Sequence, residues 1–134
     1  MCGELDDEQP TTGEDLHYDR FLVHARAILA RAERGAKPDD PLIAAIEELF
    51  TAALSRAVRD CEAADPSRRY AMLSLQPLVF ARLAGLLAGH LSIGEDPLRK
   101  TMEALMHGYA EADSVETDHG HDHEGGFGHF GHSH

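Results

Sequence analysis

The sequence predicts an all-α protein, a four-helix bundle made of two helical hairpins between polar ends. The first observation is the stretch 70–93, which is apolar nearly all round. A helix of that kind must be covered on several sides by its neighbours. The second observation is a set of three Asp-Pro steps, at Asp40, Asp65 and Asp96. Because Asp caps free amides and Pro fits the first helical position, each step predicts a helix start.

The first hairpin consists of helices predicted over 16–34 and from Asp40 to about Ala63. Apolar side chains recur at helical spacing along the first of them: Leu22, Ala25, Leu29 and Ala32. Gly35 and Pro38 follow as stop signals. Two neighbouring rows of the second helix are predicted to face the core: Leu42, Ile46, Leu49, Ala53 and Ala57, with Ile43, Phe50, Leu54 and Cys61 beside them.

The second hairpin consists of the central apolar helix and a fourth helix. The central helix should begin at 65–66. Pro77 inside it predicts either a kink or a short separate helix before a start near Gln76. The fourth helix should open at 96–97 and fray by Asp113. Its side chains predicted to point inward are Leu98, Met102, Leu105, Met106 and Tyr109.

The two hairpins resemble each other at a shift of 56 positions. Without gaps, ten residues of the first hairpin (16–61) coincide with identical residues of the second (72–112), including the Asp-Pro-Leu start of the last helix in each. Duplication of one hairpin would produce this agreement and would predict pseudo-two-fold symmetry. Any two amphipathic hairpins with Asp-Pro caps would agree to a similar degree, so both explanations stay open.

Most of the negative charge lies at the two ends. The formal net charge is −12, and neither 1–15 nor 113–134 contains Lys or Arg. Such acidic ends are predicted to be disordered. The chain is thereby divided into an acidic tail (1–15), a helical bundle (16–112) and a His-rich tail (113–134). No basic face remains for nucleic acid, so binding of DNA or RNA is not expected.

Location and chemistry are inferred from features that the sequence lacks. The N-terminus shows no basic and apolar leader of the kind found in signal peptides, which predicts a cytoplasmic protein. Arg82 near the middle of the apolar stretch, together with Gln76 and Pro77, argues against a membrane span. No arrangement for nucleophilic catalysis or nucleotide binding is visible, so the protein is not expected to be an enzyme.

The last stretch of the chain has the composition of a metal ligand set. Its histidines and interleaved acids are His119, His121, His123, His129, His132 and His134, with Asp118, Asp122 and Glu124. Neutral imidazole binds Ni, Co, Zn and Cu, and carboxylates can complete the shell. In an extended segment His119, His121 and His123 would lie on one side and could close on one ion. Alternatively, the tail is a solubilising end whose histidines titrate at about pH 6.5.

In composition this tail resembles the His-rich ends of nickel metallochaperones. The resemblance implies reversible storage, delivery or sensing of Ni, Co, Zn or Cu. The bundle supports a different interpretation, a non-catalytic adaptor or accessory subunit. Gly85 and Gly89 have the spacing that lets helices approach closely. With Arg82 they form a candidate interaction face for a second copy, as a homodimer, or for another protein.

Overall fold

The computed structural model describes the backbone of residues 13–120 and the side chains of residues 13–113. These residues form four α-helices: α1 (Gly13–Arg34), α2 (Pro41–Ala63), α3 (Arg69–Ala88) and α4 (Pro97–Gly120). Short 3-10 turns, Pro66–Arg68 and Ile93–Glu95, precede α3 and α4. The part of the chain that the structure describes contains no strand, so the predicted all-α class is confirmed.

The predicted start of α2 is confirmed at Asp40. This residue has an extended backbone, and its Oδ1 accepts a hydrogen bond from the amide of Leu42 at 2.9 Å. Pro41 occupies the first helical position, where its missing amide is not needed. The first helix ends at Arg34, directly before the glycine that predicted its stop. Both boundaries are therefore encoded by local sequence.

The far end of α2 is closed by a side chain of α3. The Nε of Arg69 donates to the carbonyl oxygen of Ala64 at 3.3 Å, and its Nη2 donates to the carbonyl oxygen of Glu62 at 3.2 Å. Carbonyls at a helix C-terminus lack partners within the helix and carry partial negative charge, so a guanidinium stabilises them. This contact fixes the turn between α2 and α3.

The central helix α3 passes Pro77 without a break. It begins with the 3-10 turn after Asp65, as predicted, and continues through Ala88. The alternative of a separate start near Gln76 is therefore wrong. The side chain of Gln76 is held on α2, where its Nε2 donates to the carbonyl oxygen of Ala57 at 3.0 Å. This hydrogen bond fixes α3 to α2 one residue before Pro77, which itself removes one backbone donor from the helix.

The start of α4 lies where it was predicted, but its Asp acts differently. Asp96 adopts a left-handed backbone with φ of 54°, a conformation that Asp tolerates better than most residues. Its Oδ2 accepts from Nε of Arg99 at 2.7 Å. The helix continues to Gly120, past the predicted fraying at Asp113, since 113–119 contains no Gly or Pro to stop it.

The helix boundaries repeat at the same shift as the sequence. Gly13 and Arg69, which begin α1 and α3, are 56 positions apart, and so are Pro41 and Pro97, which begin α2 and α4. The agreement found among residue identities thus extends to the starts of all four helices.

The chain divides into two compact units, Met1–Val79 and Phe80–His134. In the first unit α1 packs against α2. The buried side chains of that unit are Tyr18, Ala25, Ala57, Val58 and Cys61. In the second unit Ala88 is the buried side chain among those described. The core of each unit is therefore small.

Most side chains predicted to face the core are exposed in the chain. Ala25, Ala57 and Cys61 are buried as predicted. The following side chains were also predicted to face the core but are exposed: Ala32 in α1, Leu42, Ile43, Ile46, Leu49 and Phe50 in α2, and Leu98, Met102, Leu105, Met106 and Tyr109 in α4. The expectation that the central helix is covered on several sides is also wrong for the single chain, because α3 exposes most of its large apolar side chains.

The repeat gives the physical reason for the thin core of the second unit. The three buried positions of α2 are Ala57, Val58 and Cys61. At the shift of 56 they correspond to the polar residues Asp113, Ser114 and Thr117 in α4. At these three positions the sequence of the second hairpin therefore lacks the apolar residues that provide hydrophobic burial in the first.

Candidate functional site

A cluster of buried and half-buried side chains joins α2 to the first turns of α3. Cys61 is 0% exposed, and its Sγ donates to Oε1 of Gln76 at 3.7 Å. The same side-chain amide donates to the backbone of α2, as described above. Nearby, the rings of His17 and Tyr70 lie with their centroids 6.4 Å apart, which connects α1 to α3. We call Tyr18, Cys61 and Gln76 the junction cluster, because they lie where the three helices of the first unit meet.

The hydroxyl of Tyr18 is the unusual member of the junction cluster. It is buried and has no hydrogen-bond partner among the described residues. Burial, and next the neighbouring Cys61, raises the pKa of Tyr18. An ion pair between Arg26 and Glu62 links α1 and α2. Both side chains of that pair are largely exposed, so it contributes little stability.

Tyr18→Phe is expected to stabilise the first unit by about 1 kcal/mol, because it removes a buried hydroxyl that makes no hydrogen bond. Urea unfolding followed by circular dichroism measures the change. Tyr109→Phe is the matched control, since Tyr109 is 77% exposed and its hydroxyl is free to bond water. A loss of stability in the Tyr18 variant would contradict the prediction by revealing a bonded hydroxyl.

Alkaline pH is expected to destabilise the fold through the buried thiol. Burial, followed by the charges of Asp60 and Glu62, raises the pKa of Cys61 above its ordinary value of 9.0. The unfolded chain then releases this proton before the folded chain does, so stability is complete below about pH 9 and is lost as pH rises toward the folded pKa. Urea titrations from about pH 7 to 10.5 measure this loss. Cys61→Ala should reduce the slope, and an equal slope in that variant would contradict the assignment.

An exposed apolar surface runs along α3. We call it the α3 face, and its side chains are Leu75, Leu78, Val79, Phe80, Leu83, Leu86 and Leu87. Leu78 is 65% exposed and Leu86 is 61% exposed. By length and composition, Pro66–Ala88 is the one helix in the described part of the chain that could cross a membrane. Exposed apolar surfaces of this kind are typical of sites that bind proteins, membranes or ligands.

The predicted interaction residues lie on or beside the α3 face. Arg82 is exposed and forms no ion pair with another described residue. A Cβ built on Gly85 would meet nothing within 4 Å, so the space that this glycine leaves is open in the single chain. Gly89 follows the end of α3, where a Cβ would approach the carbonyl oxygen of Gly85 at 3.3 Å. Gly85 therefore offers a gap to a partner, and Gly89 belongs to the helix terminus.

A groove lies between α1 and α2 at the loop end of the first hairpin. It has a volume of about 500 Å³, and Ile28, Ala32 and Phe50 are among the residues that line it. At its edge the Nζ of Lys37 lies 3.4 Å from Oε2 of Glu48. The hairpin is thus closed near Cys61 and open near its loop.

Most of the predicted metal ligands lie outside the described residues: His121, Asp122, His123, Glu124, His129, His132 and His134. Asp118 and His119 lie on the helical backbone of α4. The extended arrangement predicted for His119, His121 and His123 includes two residues that lie outside the described part of the chain. This arrangement and the proposed role of the tail in metal binding stay predictions.

Among the described residues, the histidines of the helices do not belong to any group of three potential metal ligands. No group of three His, Cys, Asp or Glu side chains is close enough to hold an ion among the described residues. The Nδ1 of His90 lies 2.9 Å from the carbonyl oxygen of Leu86, to which it donates at the end of α3. His17 contacts the ring of Tyr70. These two side chains therefore have structural partners.

Comparison of the chain with protein-family models, with curated proteins and with solved structures finds no match. The functional argument therefore rests on the residues themselves. Sequence reasoning gave Gly85, Gly89 and Arg82 as a candidate interaction face, which stays a prediction, and it missed the junction cluster. A polar Gln76 in an otherwise apolar helix was the available signal, since a buried amide needs hydrogen-bond partners.

Proposed function

We propose that the protein is a non-catalytic helical adaptor or accessory subunit that binds a protein through the α3 face. The observation that supports the proposal is the exposure of seven large apolar side chains along one helix. An isolated soluble chain rarely leaves a patch of that extent facing water. Protein interfaces place such side chains at their centre and surround them with polar residues.

The helix geometry favours a protein partner over a membrane. The first turns of α3 are fixed to α2 by Arg69 and Gln76. The remainder, 77–88, is about 18 Å of helix, whereas a span needs about 20 residues. Arg82 lies within this remainder and would add a further cost in lipid. We therefore propose a soluble, cytoplasmic protein whose α3 face is covered by protein.

The repeat supports a bundle as the complete architecture. The four helix starts occur as two pairs at one spacing, which favours duplication of a single hairpin. Two hairpins of this kind bury their apolar faces in a four-helix bundle. The second hairpin lacks the core residues of the first, so we propose that the bundle is completed by side chains from a partner.

Site-specific photo-crosslinking tests the proposal directly. A photoreactive phenylalanine analogue at Leu83, which is 48% exposed, should give protein adducts on irradiation in cells. The same analogue at Arg59, an exposed polar position of α2, is the matched control and should give few. Adducts with lipid alone at Leu83, or equal adducts at both positions, would contradict a protein-binding role for the α3 face.

The composition of the tail supports metal handling as a second candidate function. Six histidines and three interleaved acids within 118–134 provide ligands for Ni, Co, Zn or Cu. In this proposal the tail binds ions reversibly for storage, delivery or sensing, and the bundle connects it to a recipient protein. Titration of the full chain with metal ions tests this second candidate function.

A further inference from the structure

We propose that the protein on the α3 face is a second copy of this chain, packed about a two-fold axis so that the same face is covered in both copies. This inference rests on the proposed function, because it identifies the partner of the same surface. The inference goes beyond the proposed function because it requires the α3 face of one copy to pack against the same face of the other. Three features support a second copy: the size of the core, the exposed apolar area and the distribution of charge.

The core that the described residues form in the single chain is small. Six described side chains are buried, and half of them are alanine. Ordering the backbone of each residue costs conformational entropy, which must be offset chiefly by apolar burial. A chain with this deficit folds when its exposed surface is covered. Folding is then coupled to association, as in obligate homodimers that have no stable monomer. A second copy of the chain is the one partner that is always present where the chain is synthesised, so it can cover this surface during folding.

The extent of the exposed apolar surface favours a large interface. Covering the seven side chains of the α3 face in both copies removes their apolar area from water, which is the main favourable term in association. Side chains of α4 such as Met102, Leu105 and Met106 are also more than half exposed. Obligate homodimer interfaces of roughly 2,000 Å² or more are built from such continuous apolar surfaces.

The distribution of charge permits two acidic chains to meet at this face. The net charge of the chain is −12, but 70–88 contains no acidic residue. Repulsion between copies is therefore weakest where the α3 faces meet. Arg82 is the one charged residue of that segment, and it has no ion-pair partner among the described residues.

Sedimentation velocity and circular dichroism of the full chain, over about 0.5 to 500 µM, test the inference. We expect a dimer whose helix content falls as it dissociates on dilution. Leu83→Glu should raise the dissociation constant at least about 100-fold, because it would bury an unpaired carboxylate. Ala30→Glu, at an exposed position of α1, is the matched control and should leave the constant unchanged.

Gly85→Leu separates a lost interface from a lost fold. A side chain at Gly85 meets nothing within 4 Å in its own chain, and Leu favours helix more than Gly does. At concentrations where it is still dimeric, the variant should therefore have the helix content of the wild type. Its dimer affinity should nevertheless fall at least about tenfold, because the added side chain obstructs the partner's approach. Wild-type affinity in Gly85→Leu, together with wild-type affinity in Leu83→Glu, would overturn the inference.

The remaining outcomes distinguish this inference from the proposed function. A helical monomer at all concentrations that binds an apolar dye overturns the second copy and leaves another protein as the partner. An unfolded monomer at all concentrations would likewise overturn the second copy and leave another protein as the partner. A helical monomer that binds no dye, or a chain that associates only with phosphatidylcholine vesicles, overturns both the second copy and the protein-binding role of the α3 face.

Discussion

Replacing the six tail histidines by asparagine in the full chain is expected to weaken Ni²⁺ binding at least about 100-fold, because imidazole is a far better ligand than a carboxamide for this ion. The substituted residues are His119, His121, His123, His129, His132 and His134. Isothermal titration of wild type should give a dissociation constant of roughly micromolar or tighter. The acids remain in the variant, so the loss measures the imidazoles alone.

A matched variant and a change of pH complete the metal experiment. The matched variant carries asparagine in place of the four other histidines, which are His17, His24, His90 and His107. It should bind Ni²⁺ with unchanged affinity, since these histidines form no three-ligand group among the described residues. At about pH 5.5 binding should weaken at least tenfold, because free imidazole is mostly protonated below about pH 6.5. Binding retained by the six-histidine variant would place the site elsewhere. Only millimolar binding by wild type would remove the metal hypothesis.

The starts of the helices could be predicted because local chemistry determines them. Asp40 and Pro41 satisfy the first turn of α2 within a few residues, and the structure contains that hydrogen bond. The Asp-Pro step at Asp96 also gave the position of α4, although the Asp there bonds Arg99 instead of a backbone amide. A cap signal therefore predicts where a helix begins better than it predicts the geometry of the cap.

The burial of side chains could not be predicted with the same success. Apolar spacing shows that a helix has a surface to cover, but it does not show which molecule covers it. Cys61 and Leu49 both belonged to apolar rows of α2, yet the first is buried and the second is 65% exposed. The difference depends on contacts between helices, which residue spacing in one helix does not contain.

The candidate interaction site was partly visible in the sequence. Gly85 was selected for its spacing from Gly89, and the open space beside it agrees with a role in close approach. The exposure of Arg82 could not be decided from sequence, since a guanidinium in an apolar helix is either paired or extended to water. The junction cluster depends on Gln76 reaching Ala57 across two helices, a long-range contact that no local pattern encodes.

Ala25→Leu is expected to cause the largest loss of stability of any conservative apolar substitution in α1. Ala25 is 2% exposed and lies where α1 packs on α2. The three added carbons have no space there, and overpacking costs about 1–3 kcal/mol. For a domain of this size the melting temperature should fall by about 5–20 °C. Thermal unfolding followed by circular dichroism, at one fixed protein concentration, measures the change.

Ala30→Leu tests whether that loss comes from packing. Ala30 lies in the same helix at an exposed position, where the same substitution should change stability by less than about 0.5 kcal/mol. The fixed concentration matters because association stabilises the folded chain by mass action. Equal melting temperatures for both variants would mean that α1 and α2 do not pack closely at Ala25. A selective loss would mean that the first hairpin depends on close packing of α1 and α2 at a few small side chains.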